Sequence, residues 1–507
     1  MAFVFHPSMI ACLLAATVLG CLTMLSASIA PATAGELRVG VAAVKITPPT
    51  GTPMAGYYSE RGSQGVLDDL HAKAAVLDDG KTNMAIVVCD LIGMPRSVVI
   101  EARRLIAEKT GIPADRVMIS ATHTHTGPMD VGDTAIDDLV TGGSKLSQEY
   151  AQQLPKWIAQ AVGEAYERRV PARISYGCEN EPKLSFIRRF WMQDGTVGWN
   201  PGKLNPQIIR PIGVVDPQVN VVYVETTGQK PLAPAEQMAA DGSHRAEKSD
   251  QQPLLTYVNF ALHLDTTGGV LVSADFPATL ARRLADYRGS EMMTIFANGT
   301  CGNINHLNVN WAQPQTSPKE AQRLGTILAA AVLKSFMNLK SVEEVSLRVR
   351  TEVVPLPLAK FTDEELRQAR EITARRGADT PFLEQVKAYR IMDVAAREGK
   401  PIEIDVQVMT LGREIAWVAL PGEVFVELGL SIKAASPFRQ TNVVELANGA
   451  SHYVPHRSAY AEGQYEVVST RYAEGAGELL VTTAIRLLSE LHRESAGETA
   501  ANPTSPP

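Results

Sequence analysis

The chain has 507 residues, of which 45% are hydrophobic and 20% are charged, and its formal net charge is −7. This hydrophobic share is ordinary for a globular protein, so a wholly disordered chain is excluded. The balance of 48 Lys and Arg against 55 Asp and Glu argues against a nucleic-acid-binding protein. Five cysteines are too few for a scaffold built on disulfides.

The first 34 residues have the composition of an export signal. They contain no Asp, Glu, Lys or Arg, are largely apolar, and end in Ala32-Thr33-Ala34, a small-x-small pattern of the kind that signal peptidase cleaves. We therefore predict a signal peptide at 1–34, cleavage before Gly35, and a secreted or periplasmic protein. An uncleaved membrane anchor is the alternative, and a lipoprotein at Cys21 is disfavoured because the apolar segment continues past it.

Cleavage would leave Cys89, Cys178 and Cys301, an odd number that cannot pair completely. Two arrangements are open. Either two of the three cysteines form a disulfide and the third is a buried thiol, or all three are buried thiols. The body would span 35–492, and the polar, proline-containing end at 493–507 predicts a disordered tail.

Hydrophobic periodicity predicts strands and helices that alternate along 36–490. The predicted strands are 84–90, 116–121, 219–225, 254–262, 292–297, 402–410, 415–420 and 443–446. The predicted helices are 97–110, 146–168, 278–288, 319–339, two within 362–398, 423–434 and 473–491. The mostly polar segment 226–253 is expected to be a long exposed loop.

The segment 402–410 alternates four aliphatic residues with Glu403, Asp405 and Gln407. This alternation predicts a half-exposed strand of an antiparallel sheet, and 415–420 would be its hairpin partner. We find no internal repeat and no clear linker. The fold class expected is α/β, as a single large layered domain with mixed, partly antiparallel β-sheets flanked by helices.

His123-Thr124-His125 follows the predicted strand 116–121 and precedes Thr126-Gly127-Pro128. A polar turn after a strand is where an α/β sheet presents ligand-binding groups. In extended backbone, the side chains of residues i and i+2 face the same way, so both imidazoles could reach one metal, or one could bind while the other serves as an acid. A polar surface turn is the alternative interpretation. The residues that follow do not fit a metallo-β-lactamase site, and the 402–420 hairpin does not fit an amidohydrolase barrel well.

Two further candidates also lie just beyond predicted strands. His263 follows the strand 254–262, although a hydrogen-bonded structural histidine is the more common case. Glu423 follows the strand 415–420 at the predicted start of a helix, where the helix dipole alone would favour a glutamate. Their shared placement beyond strand ends favours one common site.

These residues lie in segments that resemble the catalytic domain of the neutral/alkaline, non-lysosomal ceramidase family. The resembling segments occur in family order over roughly 36–490. They are Val39-Gly40 to Ile46-Thr47-Pro48-Pro49 with Gly56-Tyr57, Ser120 to Pro128, Asn259-Phe260-Ala261-Leu262-His263, Ser273-Ala274-Asp275-Phe276-Pro277, Phe296 to Asn303, Pro421-Gly422-Glu423, and Ser451-His452-Tyr453 with Tyr465-Glu466.

The resemblance implies a catalytic Zn²⁺ held by two His, one Glu and one Tyr. By motif, these metal ligands are His123, His263, Glu423 and Tyr453. His125 would be the acid/base or outer imidazole, and Tyr453 would also help to hold the oxyanion. Arg188 would contribute to the substrate site, and Arg189 is the alternative if the alignment is shifted by one residue. For both arginines, an exposed surface charge is the other interpretation.

Three departures from the family bear on the substrate. Asn305 stands where the family has a serine that was once assigned as the nucleophile, and an amide cannot be acylated as a serine could. A metal can still generate the nucleophile near neutral pH. The chain ends soon after the catalytic domain, so we expect no C-terminal immunoglobulin-like domain, and Leu264 replaces the proline usual after the second ligand.

We therefore expect a zinc-dependent amidohydrolase that acts on a small-molecule or lipid amide, with peripheral contact to a membrane for access to its substrate. Three alternatives stay open. They are a zinc hydrolase of a non-lipid amide or ester, an extracytoplasmic binding protein of the same fold without turnover, and an amidohydrolase-type barrel enzyme. The sequence does not fix the oligomeric state.

Overall fold

Strands and helices alternate along the part of the chain that the computed structural model describes, namely 36–57, 61–129, 144–228, 251–375, 379–449 and 452–497. The strands are β1 (Arg38–Lys45), β2 (Gly65–Val66), β3 (His71–Asp78), β4 (Asn83–Cys89), β5 (Val117–Ala121), β6 (Val170–Asn180), β7 (Phe186–Ile187), β8 (Arg189–Met192), β9 (Val197–Trp199), β10 (Ile208–Pro211), β11 (Gln218–Thr226), β12 (Pro253–Phe260), β13 (Leu271–Val272), β14 (Met293–Asn298), β15 (Ile304–Asn305), β16 (Lys340–Ser341), β17 (Leu347–Leu356), β18 (Ile402–Leu411), β19 (Ile415–Ala419), β20 (Glu423–Val424), β21 (Gln440–Val444) and β22 (Tyr453–Val454). The helices are α1 (Arg96–Thr110), α2 (Lys145–Glu167), α3 (Phe276–Arg288), α4 (Pro318–Ser335), α5 (Asp363–Ala374), α6 (Phe382–Ala396), α7 (Val426–Ala435), α8 (Ala459–Glu462), α9 (Gln464–Ser469) and α10 (Ala476–Ser495).

Two mixed sheets carry the architecture. The larger has the strand order β14-β12-β11-β6-β1-β3-β4-β5, with β16 paired to β6, and the smaller has the order β17-β18-β19-β21. The pairs β12/β14, β4/β5 and β19/β21 are parallel, whereas the other pairs in these sheets are antiparallel. A barrel of parallel strands is therefore the wrong interpretation, and the expected mixed, partly antiparallel sheets are confirmed.

The alternation of side chains along the strands explains the layers. On β4, Val87 belongs to a core shared with α1 and α2, whereas Ile86 points to the opposite face and packs with Trp417 of β19. Helices α3 and α4 cover β11, β12 and β14 on the outer face, through Leu280 and Leu328 among others. Helix α10 covers the other side of the smaller sheet. The order helix, sheet, sheet, helix is the layered domain that the sequence predicts.

The half-exposed strand expected at 402–410 is wrong on one face. Ile404 packs toward α10, as expected. However, Asp405 is only 6% exposed and Gln407 is fully buried, so only Glu403 of the three polar residues faces water. Asp405 accepts hydrogen bonds of 2.7 Å from both Arg96 and Arg103 of α1. Polar and apolar residues do alternate along this strand, but the larger sheet and α1 cover its polar face, and the arginines of α1 provide hydrogen bonds to Asp405.

Most other predicted elements are found with ends shifted by a few residues. Gly111 ends α1 in the left-handed conformation, with φ of 74°, which glycine adopts without a steric penalty. Helix α10 continues to Ser495, so the boundary drawn at 492 falls inside it. The predicted signal segment, the residues after 497 and most of the predicted loop (229–250) lie outside the described residues.

The three cysteines of the body are free thiols, so the disulfide option is wrong. Cys89 and Cys301 are buried, but Cys178 is exposed, which also corrects the expectation of three buried thiols. Within the described ranges, none of the helices combines the length and the apolar composition that a membrane crossing needs. The described residues from Glu36 onward belong to one compact unit.

Candidate metal centre

The candidate site lies beyond the carboxyl ends of strands from both sheets. His123 comes two residues after β5, His263 three residues after β12, and Glu423 follows β19 by four residues. Because β5, β12 and β19 each belong to a parallel pair, the site occupies the kind of position where α/β sheets bind ligands.

The two imidazoles of the His-x-His segment converge, but not by the predicted route. His123 has a φ of 76° instead of extended backbone, a left-handed conformation that is uncommon for a non-glycine residue. Its backbone N–H donates to the carbonyl of Leu91, and its Nδ1 lies 2.8 Å from the carbonyl oxygen of Ile92. The Nε2 atoms of His123 and His125 are 3.4 Å apart. Anchoring by the loop after β4, and not strand alternation, brings the rings together.

His263 completes a cluster of three imidazoles. Its Nε2 lies 3.2 Å from Nε2 of His123. The ligand atoms of His123, His125 and His263 lie within 4.8 Å of one another, a grouping that could hold a metal ion. His123 and His263 are almost completely buried. A histidine that only stabilised its own strand would not need to lie in a cluster of three imidazoles.

Glu423 reaches the same centre from the smaller sheet. It is not in the first turn of a helix, as predicted, because α7 begins only at Val426. Instead it lies in β20, which pairs in parallel with β22 so that Glu423 is the register partner of Tyr453. Its Oε2 lies 3.3 Å from Nε2 of His123. This oxygen is buried and has no hydrogen-bond partner among the described residues.

Close backbone packing brings these segments together. A Cβ atom at Gly302 would lie 2.5 Å from the carbonyl oxygen of Glu423, and one at Gly56 would lie 2.7 Å from the His125 ring. Contacts this short exclude a side chain at either position without displacement of its neighbour. Both glycines belong to the segments that the sequence analysis singled out.

Arg188 and Arg189 are both buried, so their interpretation as surface charge is wrong. Both donate to the buried carboxylate of Glu466, each at 2.8 Å. Arg188 also donates to the carbonyl of Gly302, and its guanidinium carbon lies 5.5 Å from the centre of the Tyr453 ring. Of the two arginines, Arg188 is thus the one beside the predicted tyrosine ligand.

The charges of the site are strongly coupled. Burial lowers the pKa of His123, but the Glu423 carboxylate outweighs burial and the pKa is raised overall. Burial and the nearby His123 lower the pKa of both His125 and His263 well below the usual value. Burial raises the pKa of Glu423, but His123 reverses this, so Glu423 stays ionised. The site therefore holds one carboxylate against neutral outer imidazoles.

Tyr453 and Arg188 change each other's pKa. Burial, followed by the Glu423 carboxylate, raises the pKa of the Tyr453 hydroxyl well above its usual value. Burial lowers the pKa of Arg188, but Tyr453, Glu466 and Glu423 outweigh burial and raise it overall. The arginine is thus a permanent cation beside a protonated phenol.

Asn305 offers no nucleophile. It is 5% exposed and lies in β15, which pairs with β7. Its Nδ2 donates to Asn200 at 2.9 Å, and its Oδ1 accepts from the backbone N–H of Leu307 at 3.0 Å. The side chain serves as a hydrogen-bonded brace between loops.

Sequence reasoning missed the carboxylate of Glu445, which is fully buried directly after β21. Its Oε1 accepts from the thiol of Cys301 at 2.8 Å, and its Oε2 accepts from the backbone N–H of Cys301 at 3.0 Å and of Val424 at 2.9 Å. Burial raises the pKa of this carboxyl to about 8. A lone acidic residue at the end of an apolar strand was the only available signal.

A second missed group lies on the other side of His125. The hydroxyl of Tyr57 donates to Oδ1 of Asp265 at 2.6 Å. This oxygen lies 3.9 Å from Nδ1 of His125, and the Arg61 guanidinium lies 4.1 Å from the centre of the Tyr57 ring. This half-exposed polar cluster borders the imidazole that points into the site.

Comparison with known proteins identifies ceramidases among solved structures. The neutral ceramidase from Pseudomonas aeruginosa is 20% identical, with a TM-score of 0.69 over 93% of this chain and 76% of the ceramidase chain. A structure described as ceramidase complexed with C2 is 18% identical, with a TM-score of 0.68 over 92% of this chain and 77% of the other. The chain matches no protein-family model and no curated protein significantly. It therefore has the fold of neutral ceramidase, as its sequence segments predicted.

Proposed function

We propose that this chain is a zinc-dependent hydrolase that cleaves the amide bond of an N-acyl sphingosine or a related N-acyl lipid. The observation that carries the proposal is the convergence of His123, His263 and Glu423. Nε2 of His263 lies 3.2 Å from Nε2 of His123, and Oε2 of Glu423 lies 3.3 Å from the same atom. Solved structures with the same fold are described as ceramidases, which supports an amide as the substrate class.

The donor atoms fit a zinc ion. Nδ1 of His123 faces the carbonyl oxygen of Ile92, which can only accept, so Nδ1 carries the proton of the neutral ring. Its Nε2 then presents a lone pair to the centre, next to Nε2 of His263 and the unpartnered Oε2 of Glu423. Neutral imidazole and carboxylate are common zinc ligands. We infer that His123, His263, Glu423 and Tyr453 would hold the ion.

A zinc ion held there would polarise the substrate carbonyl and acidify a water molecule. The chain's own residues would supply the other functions. Arg188 and the Tyr453 hydroxyl lie side by side and would donate hydrogen bonds to the carbonyl oxygen as it gains negative charge. His125 is neutral because burial lowers its pKa, so it can accept a proton and return it to the leaving amine.

A non-lipid amide or ester is the second candidate substrate, and one observation favours it. The cluster of Tyr57, Arg61 and Asp265 places charged and hydroxyl groups beside His125. A polar substrate could exchange hydrogen bonds with these groups, whereas a hydrocarbon chain would displace the water around them without replacing its hydrogen bonds. Since Asn305 provides no nucleophile, both candidates would use the same metal-dependent chemistry.

The test is hydrolysis of a fluorogenic ceramide and of short N-acyl amides and esters by purified protein, metal-free and after addition of one equivalent of zinc. The proposal predicts activity only in the zinc-loaded protein. Preference for the ceramide supports the lipid substrate, and preference for the short compounds supports the second candidate. A zinc-loaded protein that hydrolyses none of them contradicts the proposed function and favours a binding protein.

We also propose that the protein is exported. Support comes from the sequence of residues 1–34 alone, in which charged side chains are missing and a small-x-small cleavage pattern is present. N-terminal sequencing of the protein from its native host should give a chain that begins at Gly35. A chain that retains Met1 would contradict cleavage. Approach of the protein to a membrane surface is part of the same proposal, and binding to ceramide-containing vesicles tests it.

A further inference from the structure

Directly behind the candidate metal centre lies a buried pair, Cys301 and Glu445, that the proposed reaction does not use. Both side chains are completely buried. Glu445 accepts three hydrogen bonds, from the thiol and the backbone N–H of Cys301 and from the backbone N–H of Val424. A buried carboxylate is tolerated when donors of this kind satisfy it, and these three come from two separate segments of the site.

The first segment leads to His263. Because Nε2 of His263 faces His123 across the centre, its Nδ1 is directed away from the centre. There it lies 3.7 Å from the sulfur of Cys301. An imidazole that binds a metal through one nitrogen usually donates its other N–H to an outer group, which fixes the ring. Sulfur is a weak acceptor, and its own proton is held by Glu445 at 2.8 Å.

The second segment leads to Glu423. Val424, whose N–H is bound by Glu445, is the next residue along β20. The N–H of Glu423 donates to the carbonyl of His452, which precedes the tyrosine of β22. The backbone of Glu423 is therefore fixed on both sides, and one of the two anchors is the Glu445 carboxylate. A single buried carboxylate thus connects the supports of two facing side chains.

We propose that Cys301 and Glu445 are positioning residues that orient His263 and Glu423 for metal binding. The proposal rests on the proposed function, in which these two side chains are metal ligands. The carboxylate of Glu445 holds the thiol of Cys301, the sulfur of Cys301 accepts the Nδ1–H of His263, and the same carboxylate fixes β20 beneath Glu423. Neither residue touches the substrate, so their effect is on the affinity and geometry of the centre.

The test measures the zinc dissociation constant by competition with a chromophoric chelator. Outer partners of this kind typically change metal affinity by about 10–100-fold when mutated, so Cys301→Ala and Glu445→Gln should each raise the dissociation constant by that factor. Cys301→Ser restores a donor and an acceptor and should recover part of the affinity. Val162→Ala is the control, because it shortens another fully buried side chain, in the core between α2 and the larger sheet and beside the C-terminal end of α1, and it should leave the affinity unchanged.

The melting temperature of the metal-free proteins separates folding from metal binding. If Glu445→Gln does not fold, Cys301→Ala and its serine counterpart decide the question. Wild-type affinity in Cys301→Ala overturns the positioning role while the proposed function stands. Equal weakening in Val162→Ala overturns it as well, since a general packing defect would then account for the effect. A wild-type protein that binds no zinc overturns the proposed function and the positioning role together.

Discussion

Substitution of two adjacent arginines separates catalysis from stability at this site. Arg188 and Arg189 are 4% and 1% exposed and share the carboxylate of Glu466. Of the two, Arg188 lies beside Tyr453, whereas Nη2 of Arg189 donates to the Glu462 carboxylate at 2.9 Å. Methionine fills much of the volume of an arginine stem without the charge. Arg188→Met and Arg189→Met therefore remove similar bonds in different positions relative to the chemistry.

The magnitudes follow from these contacts. Each substitution removes one of the two arginines that donate to Glu466 and leaves the carboxylate paired with the other, so the loss is that of a hydrogen bond between charged groups, about 1.5–3 kcal/mol of the free energy of unfolding. Loss of one donor to the oxyanion lowers turnover by about 10²–10³, equivalent to about 2.7–4 kcal/mol. We therefore expect comparable destabilisation in both variants, but a 10²–10³-fold loss of turnover per bound zinc only in Arg188→Met.

The assay is turnover of the best substrate from the panel, divided by zinc content, at a temperature well below the melting temperatures of both variants. Urea denaturation gives the stability of each variant separately. The reasoning is refuted if Arg189→Met loses as much turnover per zinc as Arg188→Met. It is equally refuted if Arg188→Met keeps wild-type turnover, because the guanidinium would then only support the fold.

Three further predictions concern the metal centre and the sheet behind it. His123→Ala should lose both zinc and activity, whereas His125→Ala should keep zinc and lose about 10²–10⁴ in turnover; zinc retained in the first variant or lost in the second would contradict the assigned roles. Chelation should lower the melting temperature of the wild type, since zinc at 100 times its dissociation constant stabilises a protein by about 2.7 kcal/mol; scanning calorimetry should show no such shift for His123→Ala, and an equal shift there would place the metal elsewhere. Asp405→Ala should lower the free energy of unfolding by about 3–5 kcal/mol, because it leaves the Arg96 and Arg103 guanidinium groups without their shared carboxylate. Glu403→Ala, on the exposed side of the same strand, should change this free energy by no more than about 0.5 kcal/mol. Equal effects of the two substitutions in urea denaturation would show that the strand is half-exposed after all.

Local pattern was sufficient for the elements that carry the site. The apolar runs before His123 and His263 are strands of the larger sheet, and the run before Glu423 is a strand of the smaller one. Polar residues placed just beyond strand ends therefore pointed to one shared edge. Periodicity reports which faces of an element are apolar, and strand ends can be read from it within a few residues.

The errors arose where tertiary packing decides. Alternation in 402–410 shows that one face is polar, but it does not show that α1 provides arginines to cover Asp405. The helix predicted from Glu423 begins only at Val426, because pairing with β22 holds the preceding residues extended. Neither contact is local in sequence, so neither leaves a mark in a short window.

The supporting shell of the site was beyond reach for the same reason. The carboxylate that Arg188 bonds to lies 278 residues further along the chain. Cys301 and Glu445 are separated by 144 residues. The left-handed backbone at His123 was also unpredicted, since it depends on the loop after β4, which binds the residue through Leu91 and Ile92. Ligand types can be recognised from a motif, but their orientation depends on partners that only the fold brings near.

The most direct test of the central claim is a crystal structure of the zinc-loaded protein with anomalous diffraction recorded on both sides of the zinc absorption edge. The account predicts one strong anomalous peak between Nε2 of His123, Nε2 of His263 and the carboxylate of Glu423, with the Tyr453 hydroxyl oxygen completing the ligand set at about 2 Å. An anomalous peak at other residues, or none at this centre in protein that hydrolyses its substrate, would contradict it.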